Sequence, residues 1–156
     1  MASADFGLID VERLGPAQLS DMREAMRVFA DAFDEEATFF SDPPTDAYFE
    51  KLLSNPHFVM LAARINGAVV GALAAYELVK YEQQRSEFYI YDLAVAEPFR
   101  RLGIARTLIE TLKPIAKSAG AWVIFVQADR EDEPAVALYR SMGIEEAPLH
   151  FDIPLN

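Results

Sequence analysis

The stretch HFVMLAARINGAVVGALAAYEL, residues 57–78, places two apolar runs on either side of Asn66-Gly67. Asn-Gly is the pair that a two-residue hairpin turn prefers, because both of its residues must adopt left-handed backbone angles. The strongest short hairpin signal in the chain therefore sits here, and a strand follows on each side of it. Gly71, inside the second strand, marks a bulge or a close backbone approach.

The rest of the chain is read outward from that hairpin. FGLIDVERL suggests a first strand. GPAQLSDMREAMRVFADAFDEE repeats Leu19, Met22, Met26, Phe29 and Phe33 at helical spacing, with Pro16 suited to a first turn. A second, short helix is expected over 46–53, after the DPPT breaker. VKYEQQRSE leads into a strand containing YIYDLAV. AEPFRRLGIARTLIETLKPIAKSAG reads as a loop and a long helix, with Leu108, Leu112 and Ile115 on its inner face and Gly120 as its stop. AWVIFVQAD is expected as another buried strand, EPAVALYRSMG as a short helix and LHFDIPL as a last strand. The order β-α-α-β-β-β-α-β-α-β gives an α+β domain with a mixed sheet, one domain over residues 1–156.

Composition narrows the function. The chain has 156 residues, 52% of them hydrophobic, enough to bury a core without staples. It has no cysteine, which removes disulfides, a thiol nucleophile and thiolate metal sites. The two histidines, His57 and His150, are too few to argue for a metal. No apolar run approaches the roughly 20 residues that cross a membrane, and MASADFGLID lacks the features of a signal peptide. The expectation is a soluble, cytoplasmic protein. Its net charge of −11 repels phosphate backbones and argues against nucleic acid as a partner. It attracts polycations, or serves solubility alone.

Two features carry chemistry. In YIYDLAV, residues 89–95, six of seven residues are apolar or aromatic and the seventh is Asp92. An unpartnered carboxylate in such a strand costs several kcal/mol. Next comes RRLGIA, residues 100–105, at a strand-to-helix junction. There the unpaired N–H groups and the helix dipole form an anion site suited to phosphate. Gly103 and Ala105 permit close approach, and Arg100, Arg101 and Arg106 reverse the sign of an otherwise acidic chain. The same residues also fit a plain glycine turn with solvated arginines.

Arg100-x-x-Gly103-x-Ala105 after an apolar strand resembles the acetyl-CoA signature of the GNAT acetyltransferase superfamily, and ALYRSMGI, residues 137–144, resembles that family's tyrosine-bearing helix. The element order matches that fold over nearly the whole chain. VVGALAAYELVKYEQQRSEFYIYDLAV, VQADREDEPAVALY and HFDI look like the type I aminoglycoside 3-N-acetyltransferases, the gentamicin-modifying group, over about residues 8 to 153.

The resemblance implies a GNAT fold whose mostly antiparallel sheet splays between its fourth and fifth strands, flanked by about four helices. It implies direct transfer, in a ternary complex, from acetyl-CoA to an amine, the 3-amino group of an aminoglycoside, with antibiotic resistance as the outcome. It needs no metal, and a homodimer is common in such enzymes. Another polyamine or a protein amine is the competing acceptor. Leu93, Ala94 and Val95 would pair with the pantetheine arm, and the pyrophosphate would take N–H groups of Arg101, Leu102, Gly103, Ile104 and Ala105, with Arg100 of the signature also on the cofactor side. Tyr139 would protonate the departing thiolate as general acid; its other reading is a core aromatic. Asp92 would orient the amine or accept its proton; its other readings are a carboxylate capped by backbone donors or paired with Arg85. The two roles conflict, because a nearby negative charge favours the ammonium whereas only the neutral amine attacks. Acids in separate loops, Asp34 and Glu35, Glu82 and Glu87, Asp129 and Asp152, suit a substrate with several ammonium groups.

Overall fold

The computed structural model describes residues 7–156, which divide into two compact units, one ending at Val126 and one running from Gln127 to Asn156. The first unit holds β1 (Asp10–Arg13), α1 (Leu19–Phe33), α2 (Glu36–Phe40), α3 (Asp46–Ser54), β2 (Phe58–Ile65), β3 (Ala68–Val79), β4 (Ser86–Val95), α4 (Ile104–Ser118) and β5 (Ala121–Val126). A single 3-10 turn, Glu97–Phe99, separates β4 from the loop before α4. Phe6, the first residue of the expected first strand, lies outside the described residues.

The strands form one open sheet in the order β1-β2-β3-β4-β5. All neighbours are antiparallel except β4 and β5, which are parallel. The Asn66-Gly67 turn joins β2 to β3, with both residues at positive φ as that turn requires (52° and 82°).

Cross-strand partners share a face, so the register sorts the core into two layers. One layer carries Met22, Ala25 and Phe29 of α1, Phe49 of α3, Phe58, Met60 and Ala62 of β2, Ala72 and Ala74 of β3, and Ala94 of β4. The other packs Leu61, Leu73, Phe88 and Ile90 under α4, whose Leu108 and Leu112 are fully buried. Each such leucine contributes about 1.5–3 kcal/mol of burial.

Gly71 fulfils both roles expected of it. The register shifts there, Ala63 pairing with Gly71 and Arg64 with Val69. A Cβ at Gly71 would also stand 2.9 Å from Ile104 Cγ2, so α4 packs against bare backbone.

Several expectations need correction. Helix α1 begins at Leu19; Pro16 lies in the preceding turn, closed by Gln18 N–H to the Gly15 carbonyl at 3.0 Å. The additional helix α2 follows Asp34, whose left-handed φ of 53° breaks the chain direction after α1. Strand β5 is only half-buried, and Trp122 is 57% exposed. LHFDIPL forms no strand: Leu149, Phe151, Ile153 and Leu155 are all exposed. An alternating apolar segment becomes a strand only when another strand takes up its backbone groups, and none among the described residues does.

The second unit contains α5 (Glu133–Met142). Asp132 caps it, accepting from the Ala135 N–H at 3.2 Å.

Candidate active site

The position of Asp92 follows from one extra residue. On β3, Ala74 pairs with Asp92 and Ala75 with Ile90, so Tyr91 has no partner and forms a bulge in β4. Such a bulge re-aims the side chains that follow it. Phe88 and Ile90 face α4, whereas Asp92 pairs with Ala74 and joins the layer of Ala72 and Ala94 on the α1 side. In a strand without the bulge, Asp92 would share the face of Ile90, in the core under α4. It is instead half-buried at the edge of the other layer. Burial raises its pKa, and the charge of nearby Glu35 raises it further. Arg85 does not pair with it; that guanidinium stacks on the Trp122 ring at 4.3 Å.

Tyr76 and Tyr89 lie close enough to Asp92 to feel its charge, and they belong to a row of aromatic rings. Phe58, Tyr76, Tyr91, Tyr89 and Phe125 form a row across β2 to β5, with successive centroids 5.2, 5.8, 5.7 and 4.8 Å apart. The Tyr76 and Tyr91 rings stand at 80° to one another, and the Tyr91 side of the row is open to solvent, at 62% exposure. Tyr48 of α3 lies close enough to influence Tyr76 and is 59% exposed. Burial raises the pKa values of Tyr76 and Tyr89, and Tyr91 and Asp92 add to the effect in both.

The parallel pairing ends just before the bulge, where β5 itself stops. The last β4–β5 partners are Ile90 and Val126, so Asp92, Leu93, Ala94 and Val95 run on along β4 without a β5 partner. On the β3 side, Leu93, Ala94 and Val95 remain paired with Leu73, Ala72 and Gly71. The Val95 carbonyl accepts from Arg100 Nε at 3.0 Å, which fixes the start of the loop.

In that loop Arg101 and Gly103 are both left-handed, with φ of 65° and 81°, while Gly103 serves as the N-cap of α4. In the first turn Thr107 N–H donates to the Gly103 carbonyl at 3.0 Å. The N–H groups of Ile104 and Ala105 therefore begin the helix without intrahelical partners. Alternating left-handed residues make a concave nest of N–H groups that takes an anion, and Arg100, Arg101 and Arg106 lie in or next to it along the chain. A cavity of about 470 Å³ between α1 and this segment is lined by Glu24, Arg27, Asp31, Ala96 and Arg100.

The other expected site residues divide. Asp34 is the exposed C-cap of α1. Glu82 and Glu87 both pair with Lys80, at 3.3 and 3.7 Å, and Glu87 lies at the far end of β4 from the bulge. Within the second unit, the Asp129 carbonyl closes a turn with Asp132 N–H at 3.1 Å. Asp152 is exposed and sits 3.1 Å from His150 Nε2. The Tyr139 hydroxyl has its pKa pushed up to about 12 by burial and then by Asp132, so it stays protonated at neutral pH. Among the described residues no three His, Asp or Glu side chains group to hold a metal, and no helix is long and apolar enough to cross a membrane.

An open sheet whose one parallel pair stops at Ile90 and Val126, with β4 running on into an N–H-lined anion loop, fits an enzyme that transfers an acyl group from a phosphate-bearing thioester. The chain belongs to the acetyltransferase (GNAT) family, which it matches over residues 23–144. It is 50% identical to an aminoglycoside acetyltransferase, HMB0005, from an uncultured soil metagenomic sample (TM-score 0.94, covering 96% of this chain and 99% of that one). It is 31% identical to a second soil-metagenome aminoglycoside acetyltransferase, meta-AAC0020, whose structure holds sisomicin (TM-score 0.87, covering 95% and 97%). It is also similar to the N-alpha-acetyltransferase RimI of Mycobacterium tuberculosis, 28% identical over 116 residues, or 73% of this chain and 70% of that protein. GNAT acetyltransferases use acetyl-CoA, and the loop and the stretch of β4 without a β5 partner fit that co-substrate.

Proposed function

We propose that this protein acetylates an amino group of an aminoglycoside, the 3-amino group, by direct attack in a ternary complex with acetyl-CoA, and so confers resistance. The observation that carries the reading is the bulge at Tyr91. It brings a half-buried carboxylate out of the core and sets it beside Glu35 on an aromatic face. A polyamine is the substrate for which such a face is suited, and the 50% identity to an aminoglycoside acetyltransferase supports the same class.

The roles follow from the residues. The N–H groups of Arg101, Leu102, Gly103, Ile104 and Ala105 would hold the pyrophosphate, and backbone groups of Leu93, Ala94 and Val95 the pantetheine arm. Acetyl-CoA supplies the activated acetyl group. Asp92, whose proton affinity is raised, accepts a proton from the amine at its carboxylate. Tyr139 keeps its proton at neutral pH and gives it from Oη to the departing thiolate. Glu35 adds negative charge for the cationic acceptor. The two units act as one acetyltransferase domain, as the family match across Val126 supports.

The similarity to RimI favours a second reading, acetylation of protein N-termini. Thiol release from acetyl-CoA, measured side by side with gentamicin, spermidine and an N-terminal peptide, separates the two. The expected order places gentamicin first by at least tenfold in kcat/KM. Release with the peptide alone would overturn the aminoglycoside reading.

A further inference from the structure

Resting on that reading, we propose that Tyr48, Tyr76 and Tyr91, with Glu35, form a subsite for an ammonium group of the substrate other than the one acetylated, recognised by its charge on aromatic faces.

The aromatic rings are not there to fill a core. Tyr48 and Tyr91 are 59% and 62% exposed, and Tyr76 is 38% exposed, although each lies beside well-buried apolar residues. Clustered exposed aromatic surface of this kind marks a binding face. The Tyr76 and Tyr91 rings meet at 80°, which forms a corner and not a stack. Uncompensated negative charge stands next to it: among the described residues neither Asp92 nor Glu35 forms an ion pair. A neutral sugar can hydrogen-bond a carboxylate through its hydroxyls but gains no charge–charge attraction from it. An alkylammonium gains from both the charges and the π faces.

The subsite also resolves a conflict. If Asp92 alone bound the cation, it would oppose the deprotonation that attack requires. With the tyrosines and Glu35 holding a neighbouring ammonium, Asp92 is free to take the proton of the reacting amine. Recognition by aromatic faces reads charge and shape and does not count N–H donors. N-methylated ammonium groups should therefore be accepted at this subsite as readily as primary ones.

The probe is choline, a quaternary ammonium that has no N–H and no amine to acetylate, compared with its neutral isostere 3,3-dimethyl-1-butanol. Binding is read by calorimetry on the protein without substrates, so the result does not depend on which amine is acetylated. Competition is then read against the aminoglycoside. Choline should bind at least tenfold tighter than the isostere and compete with the aminoglycoside but not with acetyl-CoA. Tyr91→Leu should weaken choline and raise the aminoglycoside KM by about tenfold with kcat little changed, and Tyr91→Phe should keep both. Tyr48→Leu, on a separate helix, repeats the test in a second background. Equal binding of choline and its isostere, or variants that leave both constants unmoved, overturns the subsite. Choline binding without aminoglycoside turnover would instead overturn the proposed acceptor and leave the subsite standing.

Discussion

Burial and the charge of Glu35 both raise the proton affinity of Asp92, which makes a functional role separable from a structural one. Between the ordinary carboxylate value and its raised value, the folded protein holds a proton that the unfolded chain has released. Stability therefore falls as pH rises through that window, and the loss is complete above it. Asp92→Asn removes this cost. At pH 7 the variant should melt no lower than the parent, and its advantage should vanish at about pH 3, where both carboxyl forms are neutral. The same variant should lose about a hundredfold or more in kcat, along with the acid limb of the kcat/KM profile. A variant that melts lower at every pH would make Asp92 structural. Tyr139→Phe should lower kcat with the acetyl-CoA KM unchanged. With its pKa near 12, ionisation of Tyr139 should cause no fall in activity below about pH 10. An unchanged kcat would remove the hydroxyl from the reaction.

At the level of elements, the chain showed what was local and hid what was not. Asn66-Gly67, the α4 pattern and the RRLGIA junction are each decided by neighbours within a turn or two, and each formed where expected. The bulge at Tyr91 was not legible. YIYDLAV is apolar on both faces, so alternation says nothing about which residue is the extra one. The exposure of Tyr48, Tyr76 and Tyr91 depends on how α3, β3 and β4 come together, which no local pattern states. LHFDIPL alternates as a strand should, but pairing needs a distant partner that a local pattern cannot name. The loop yields a test at this scale. A Cβ on Gly103 meets nothing within 4 Å, so Gly103→Ala bears only the cost of its left-handed φ of 81°, about 1–2 kcal/mol. The nest, by contrast, loses its closest approach to phosphate. Gly103→Ala should raise the acetyl-CoA KM at least tenfold while Tm falls by only a few degrees and the amine KM holds. Gly71→Ala should show the reverse balance, because its Cβ would lie 2.9 Å from Ile104 Cγ2. Overpacking of that kind costs about 1–3 kcal/mol. If Gly103→Ala moved stability and left the acetyl-CoA KM alone, the loop would be a helix start and nothing more.

For the whole molecule the governing quantity is the net charge of −11. Its field favours a polycation and opposes acetyl-CoA, which is itself an anion and must rely on the local reversal of sign at Arg100, Arg101 and Arg106. Salt acts differently on the two. The long-range field is screened beyond about 10 Å at 0.1 M ionic strength, while contacts made at the loop and beside Asp92 are short. Raising the salt from low to several-fold above physiological should therefore raise the KM of a multiply charged aminoglycoside several-fold, through a slower encounter. The KM of acetyl-CoA should stay level or fall, because screening removes repulsion from the body of the protein as it weakens attraction at the loop. A singly charged amine should respond far less than the aminoglycoside, and kcat should hold for all three. If both substrates weakened together with salt, the acidity of the chain would serve solubility alone, and selection of the cation would rest entirely on the residues around Asp92.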